Sequence, residues 1–314
     1  MKISTSLIAA MALVLWVSAE VPPNISPGSP WEGVSGRFQA DYDGKNDQGL
    51  SWTSQVSPET YYALTWNMKA SQEELRPVFT VNGEIGDYGS FSKSYPVSAA
   101  PNVYTFYFYS GSASSIPFKL FCSSSKPKKI DLSALELRKI EADAFKGNLM
   151  PEGYFHGASG IPVMWKPDDG TPQLPARIEK QADFLAGDQA LLLKIAPQEK
   201  GVTSISSIQL PMIPGKRFEA SFWGKADAEA VLALDVNGWS MYRHFGGHWW
   251  KSRSVKVGPA WAPYSLTVDI PEDFKAFPDL QSRLVSLKIR SKENAQTAKV
   301  WISAIRFRQV EKAD

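Results

Sequence analysis

The sequence predicts an all-β fold, two tandem antiparallel β-sandwiches, on three observations. Short stretches alternate apolar and polar residues, Gly, Pro, Asn and Asp interrupt them at short intervals, and the second half repeats the first block by block. Asn24-Ile25-Ser26-Pro27 and Trp31-Glu32-Gly33 correspond to Asn148-Leu149-Met150-Pro151 and Phe155-His156-Gly157. Lys69-Ala70 answers Lys225-Ala226, and Val81-Asn82-Gly83 answers Val236-Asn237-Gly238. Both copies close alike, Ser133-Ala134-Leu135-Glu136-Leu137-Arg138 against Ser303-Ala304-Ile305-Arg306-Phe307-Arg308. A period this long makes the unit a whole domain instead of a solenoid repeat.

From the N-terminus, Lys2, an apolar run from Leu7 to Val17 and the small-residue site Val17-Ser18-Ala19 read as a signal peptide over 1–19. The expected location is secreted or periplasmic, with no membrane span in the mature chain. Residues 20–30 form a Pro/Ser-rich leader, expected to be extended or weakly ordered. The first, shorter sandwich is expected over 31–143 and the second over 144–314. In the first, Tyr62, Leu64, Trp66 and Met68 face inward and Val103 to Tyr109 forms an aromatic strand, while Ser71 to Leu75 could make one helical turn. Only 35 residues separate Gly33 from Lys69, against 67 from Gly157 to Lys225, so the first copy could lack a strand pair or a loop. In the second, four alternating strands follow one another. Phe218, Ala220 and Phe222 turn inward, then Leu232, Leu234 and Val236, then Tyr264, Leu266 and Val268, and a fourth runs from Leu284 to Arg290. One greasy and one polar face per strand is the pattern of an antiparallel sandwich.

Composition narrows the function classes. Cys122 is the single cysteine, so no intrachain disulfide forms, and its place at the end of Phe118-Lys119-Leu120-Phe121 suits a buried thiol. A formal charge of +2 without a cluster of basic residues argues against nucleic acid, and Lys126-Pro127-Lys128-Lys129 reads as a solvated loop. The 11 Trp and 11 Tyr are many for a soluble chain, and many stand in polar stretches.

Three blocks carry a family resemblance: Asn148 to Phe155 (Asn-x-x-Pro-x-Gly-x-Phe), Pro214 to Ala226 (Pro-Gly-Lys-x-Phe-x-x-Ser-Phe-Trp-x-Lys-Ala), and Trp261 to Tyr264. They resemble the jelly-roll carbohydrate-binding modules found beside xylanases and cellulases, the CenC-like carbohydrate-binding domain. Val300-Trp301-Ile302-Ser303-Ala304-Ile305 looks like that family's last strand. The resemblance implies a galactose-binding-domain-like jelly roll in each half and a non-catalytic protein whose partner is a polysaccharide or oligosaccharide. A separate glycanase or a cell-surface protein is a further possible partner. Such modules often hold a structural calcium through a Glu after the opening aromatic and an Asp on the last strand. Here His156, Ser303 and Ser133 stand at those places and Glu32 alone survives, so no cofactor and no metal are expected.

The densest constellation is Trp239-Ser240-Met241-Tyr242-Arg243-His244-Phe245-Gly246-Gly247-His248-Trp249-Trp250-Lys251. Following Asn237-Gly238, it reads as a loop or irregular hairpin. Aromatic rings stack on the C–H faces of sugars and their polar tips reach the hydroxyls. Trp239, Tyr242, Arg243, His244, Trp249 and Trp250 are therefore candidate ligand contacts. Trp223 would complete the platform, with Arg217, Glu219, Lys288 and Arg290 as its rim. The bland alternative is that Trp239 and one of Trp249 or Trp250 plug the sandwich edge. Tyr88 and Tyr95 are the matching candidates in the first copy, where Tyr88, Phe91 and Tyr95 alternate with Gly and Ser. A lyase could draw its base and cations from Tyr242, Arg243, His244, His248 and Lys251, although one loop supplying every group is unusual. His244 and His248 have a zinc-like spacing, but the glycines between them oppose a helix and no third ligand is apparent. Asp41 to Asp47 has the wrong glycine and spacing for an EF-hand. The carboxylate pairs Glu73-Glu74, Asp168-Asp169 and Glu272-Asp273 are adjacent instead of facing, so a glycosidase is not indicated. A structural or adhesion protein that binds a protein partner is the main alternative.

Overall fold

The computed structural model describes residues 25–27, 31–34, 37–42, 49–122, 128–151, 153, 155, 162–167, 176–180, 189–195, 197, 203–239, 249–272, 275–276, 280–281, 283–292, 294 and 296–311. In the first copy, alternating residues build β1 (Ser26–Pro27), β2 (Trp31–Val34), β3 (Arg37–Tyr42), β4 (Leu50–Gln55) and β5 (Tyr61–Ala70). These are followed by β6 (Glu74–Ile85), β7 (Gly89–Val97), β8 (Asn102–Tyr109), β9 (Ser115–Cys122) and β10 (Lys128–Lys139). A front sheet runs β1-β4-β9-β6-β7 and a back sheet β2-β3-β10-β5-β8.

The second copy begins with β11 (Trp165–Pro167), β12 (Ala176–Lys180), β13 (Gln189–Ile195), β14 (Ser204–Ser207), β15 (Leu210–Pro211) and β16 (Arg217–Ala226). It continues with β17 (Ala230–Trp239), β18 (Trp249–Val257), β19 (Ala262–Asp269), β20 (Lys275–Ala276), β21 (Leu280–Gln281), β22 (Leu284–Ser291) and β23 (Ala298–Val310). Its front sheet is β11-β14-β22-β17-β18 and its back sheet β12-β13-β23-β16-β19. The strand orders superimpose one for one, β5 on β16, β6 on β17, β9 on β22 and β10 on β23. Among the described residues, the short first copy therefore has a counterpart for each of the ten strands on the two sheet paths of the second. The extra length of the second lies in its connections, in β15 and in the separate β20–β21 hairpin.

Three local expectations change. Ser26–Pro27, expected in the leader, pairs with Ser51 and Leu50, so the first front sheet begins ahead of residue 31. Ser71–Gln72 is a bend, and β6 starts at Glu74 where a helical turn was expected. Lys128 and Lys129 are not loop but the start of β10, opposite Tyr42 and Asp41.

The repeated endings have a shared backbone cause. Ala134 and Ala304 have φ of 51° and 50°, the left-handed region that a non-glycine residue rarely enters. In each copy the pairing of the last strand slips there, between Ser133 and Glu136 and opposite Ser221 to Trp223, as a bulge. The opening motif is explained by the same strand. Asn148 Oδ1 accepts from the amides of Met150 (3.1 Å) and Phe307 (3.0 Å), and Asn148 Nδ2 donates to the Ile305 carbonyl (3.2 Å). A Cβ on Gly153 would sit 2.1 Å from the Ile305 oxygen, so only glycine lets this segment lie on β23. Phe155 is then buried in the core.

The cores differ in kind. In the first, Trp66 stacks on Tyr104 (5.7 Å, 10°) and meets Tyr95 edge-on (5.5 Å, 87°), while Phe91, Phe106, Phe108 and Phe118 form a second ring cluster. In the second, Leu191, Leu193, Ile205, Leu232, Leu234, Val236, Ile289 and Ile302 dominate, joined by Phe218 stacked on Phe307. Cys122 is buried, as its place at a strand end suggested. Between the copies, a short 3₁₀ turn (Ala142–Lys146) buries Phe145, which touches Tyr61 on one side and Phe218 on the other. Burying one such side chain contributes about 1.5–3 kcal/mol.

Candidate functional site

The repeated Val-Asn-Gly blocks occupy one register position in the two front sheets. Asn82 lies between Ser92 on β7 and Lys119 on β9, and Asn237 between Trp250 on β18 and Ser286 on β22. Alternation buries Val81 and Val236 in the cores and turns both asparagines to the outer face. The glycines point back inward opposite an aromatic, Gly83 across from Phe91 and Gly238 across from Trp249. A Cβ on Gly83 would stand 2.5 Å from the Phe91 ring and 2.7 Å from the Pro117 oxygen. Asn237-Gly238 is thus inside β17 and is not the turn its dipeptide suggested. Its glycine stands opposite Trp249 in the ladder instead of reversing the chain.

In the first copy the outer face of this sheet carries an open groove of about 740 Å³. Ser51 and Thr53 on β4, Asn82 and Glu84 on β6, Ser90 on β7, and Pro117 and Lys119 on β9 line it. Asn82 Oδ1 is buried and has no hydrogen-bond partner among the described residues. Lys119 leans over the Phe121 ring at 5.0 Å. Hydroxyls and an amide with one acid and one base make the groove nearly neutral. It offers many donors and acceptors and one unpartnered acceptor beneath its floor.

The corresponding face of the second copy is charged and bears an indole. Trp250 is 52% exposed beside Asn237, while its neighbour Trp249 packs partly buried against the core. The pair therefore divides between surface and interior. One step along β17, Asp235 is only 3% exposed and accepts from Arg290 Nε at 2.6 Å, and its second oxygen has no partner among the described residues. Lys288 pairs with Asp235 in register and turns to the same face. In the first copy the equivalent of Asp235 is Thr80, whose hydroxyl meets Ser94 at 2.9 Å.

Other expected contacts fall elsewhere. Tyr242, Arg243, His244 and His248 lie outside the described residues, as does the side chain of Trp239, whose backbone ends β17. Trp223 is 37% exposed but belongs to β16 of the back sheet, so Lys288 and Arg290 on the front sheet cannot form its rim. The sandwich core separates them. Arg217 and Glu219 do share its face, engaged by Asp269 and Arg308. On that face Lys225 Nζ lies between Trp261 (5.5 Å) and Trp301 (5.3 Å), and Trp301 Nε1 donates to Glu179. Tyr95, expected at a ligand, is a core residue at 3% exposure. Its hydroxyl donates to the Thr105 carbonyl at 3.1 Å, and burial holds its pKa well above the ordinary range. Tyr88 is half-buried, edge-on to Tyr109 at the junction of the two sandwiches, and away from the front face. Residues 43–48 and His156, weighed for calcium, are outside the described residues. Ser303 is buried and donates to the Gln189 carbonyl, and no group of three His, Cys, Asp or Glu side chains gathers among the described residues.

Sequence reasoning missed the groove of the first copy because it searched for rings. The signal was there in short polar residues at every second position: Ser51 and Thr53, then Ser90, Ser92 and Ser94.

No family model and no curated protein matches this chain. Among solved structures it is similar to a tandem pair of family 22 carbohydrate-binding modules from Paenibacillus barcinonensis Xyn10C, at 12% identity and a TM-score of 0.39, over 94% of this chain and 93% of that one. The xylan-binding first module of that protein alone gives 16% and 0.35, over 49% and 91%. A family 61 module bound to β-1,4-galactotriose gives 14% and 0.35, over 52% and 99%. The architecture of this chain is established by its own strand pairing.

Proposed function

We propose that this protein is a non-catalytic carbohydrate-binding protein that holds a polysaccharide against the outer faces of its two front sheets. The observation that carries this reading is the groove of the first copy, with the unpartnered acceptor on Asn82 just beneath its floor, which a small side-chain rotation would present to a ligand. A sugar hydroxyl is a donor of the right size, and an unmet buried acceptor costs about 1–3 kcal/mol until it is satisfied. Ser51, Thr53, Ser90 and Glu84 supply further partners for a chain of hydroxyls. Trp250, at the same register in the second copy, offers a ring face for stacking. Two such faces on one chain gain avidity on a polymer with repeated epitopes. Among the described residues Glu84 is the one carboxylate lining the groove, whereas glycoside hydrolysis uses two. The signal peptide expected over 1–19 fits export to where polysaccharides are met.

Native gels cast with neutral and acidic polysaccharides test this reading. Retardation by at least one polymer is expected, weakened by Asn82→Ala and by Trp250→Ala. Unchanged mobility of the parent chain in every polymer would sink it. The exposed Trp223 on the opposite face is the observation that favours a protein partner as the second reading.

A further inference from the structure

We infer that Arg283 is a latch that locks the two sandwiches into one rigid, cooperatively folding body, by inserting a guanidinium from the second copy into a cage of tyrosines on the first. Arg283 stands immediately before β22, and its carbonyl accepts from the Met212 amide at 3.0 Å, which fixes its backbone to the second copy. Its guanidinium carbon lies 4.6 Å from the centre of the Tyr109 ring, the distance of a cation on an aromatic face. Tyr61 packs on Tyr109 at 4.8 Å and Tyr88 meets it edge-on at 6.0 Å, so three rings from three separate segments surround one cation. Glu59 accepts from the Tyr109 hydroxyl and holds that ring in place. Glu59 itself has φ of 52°, a left-handed conformation kept by its amide bond to the Gly111 carbonyl.

The cage is not an isolated contact. The Tyr61 hydroxyl reaches the Met212 carbonyl, and the Tyr107 hydroxyl donates to the Leu149 carbonyl at 3.0 Å, each bond crossing between the copies. Phe145 fills the space between Tyr61 and Phe218, and buried side chains of both sandwiches join in one continuous cluster. Paired domains ordinarily move relative to each other unless the interface is large and apolar. Here an apolar plug, two crossing hydrogen bonds and a caged cation act together, and the cage adds an orientation that a plug alone does not set. Burial moves the Tyr61 and Tyr88 hydroxyls up from their ordinary pKa, so both stay neutral at physiological pH, as donors and acceptors beside the arginine. The inference stands without the carbohydrate reading, because it concerns the junction and no groove residue.

Scanning calorimetry and small-angle scattering of the full chain, parent and Arg283→Ala, test it. The parent is expected to melt in one transition. The variant is expected to melt in two, with native circular dichroism retained and a larger radius of gyration. Two transitions in the parent, or one transition and an unchanged radius in the variant, would overturn the latch. Arg283→Lys, which keeps the charge but loses the flat guanidinium, repeats the comparison should the alanine variant fail to fold, and it too should split the transition.

Discussion

The first copy packs Trp66, Tyr104, Tyr95 and Phe79 around one another, while the second keeps a smaller ring pair, Phe222 against Tyr264, at the positions of Trp66 and Tyr104, sets Leu234 at that of Phe79, and fills most of the remaining core with Leu, Ile and Val beside the Phe218–Phe307 stack. One strand order thus accepts two core chemistries, because the order depends on pairing and alternation and not on which apolar group fills the space. The outer faces have diverged the other way. The aromatic-cored copy has a groove of serines and threonines, and the largely aliphatic-cored copy shows an indole and a half-buried Asp235–Arg290 pair. Most of the 11 tyrosines stand before residue 144 and most of the 11 tryptophans after it.

The comparison can be broken hardest at Trp66. Trp66→Ala should cost about 3–5 kcal/mol in urea unfolding, since it removes the ring on which three others rest. A loss below about 1 kcal/mol would show that the aromatic core is not the support of the first copy. Gly153→Ala should come next, at about 1–3 kcal/mol, by driving a methyl against the Ile305 carbonyl and loosening the opening segment from β23. In the aliphatic core, Ile289→Val should cost only about 0.5–1.5 kcal/mol by the same assay.

Alkali should separate the copies as well. Burial raises the pKa of Tyr61, Tyr95 and Tyr107 in the folded state. Their contribution to stability is therefore complete below about pH 10, the unfolded value, and is lost as pH rises beyond it. Urea midpoints should hold steady from pH 8 to about 10 and then fall, with tyrosinate absorbance appearing together with unfolding. Absorbance that appears while the chain stays folded would mean these hydroxyls reach water. The smallest effect on stability, within about 0.5 kcal/mol, is expected for Ser92→Trp. It places an indole in the first copy at the register of Trp250 and should strengthen retardation by whichever polysaccharide the parent binds. No gain would mean that the two faces do not share a binding position.

Much of this was legible in the residues. Inward Phe218, Ala220 and Phe222, the buried Cys122 and the duplicated Ser-Ala ending follow from alternation and repetition, which are local properties of a strand. The repeat by itself determined that there would be two sandwiches of one kind. What only the tertiary structure decided was sidedness and neighbourhood. Trp249 and Trp250 are adjacent in sequence, yet one is packed inside and the other exposed, because their register on β17 sets them opposite Gly238 and Asn237. Trp223 and Lys288 looked like parts of one platform until strand order put them on opposite sheets. Tyr88 and Tyr95, seven residues apart, went to the domain junction and to the core. Arg283, in no motif at all, met Tyr61, Tyr88 and Tyr109 only because two domains dock. Period two tells that a residue changes face. Which face is covered, and by what, depends on pairing between strands far apart in the chain.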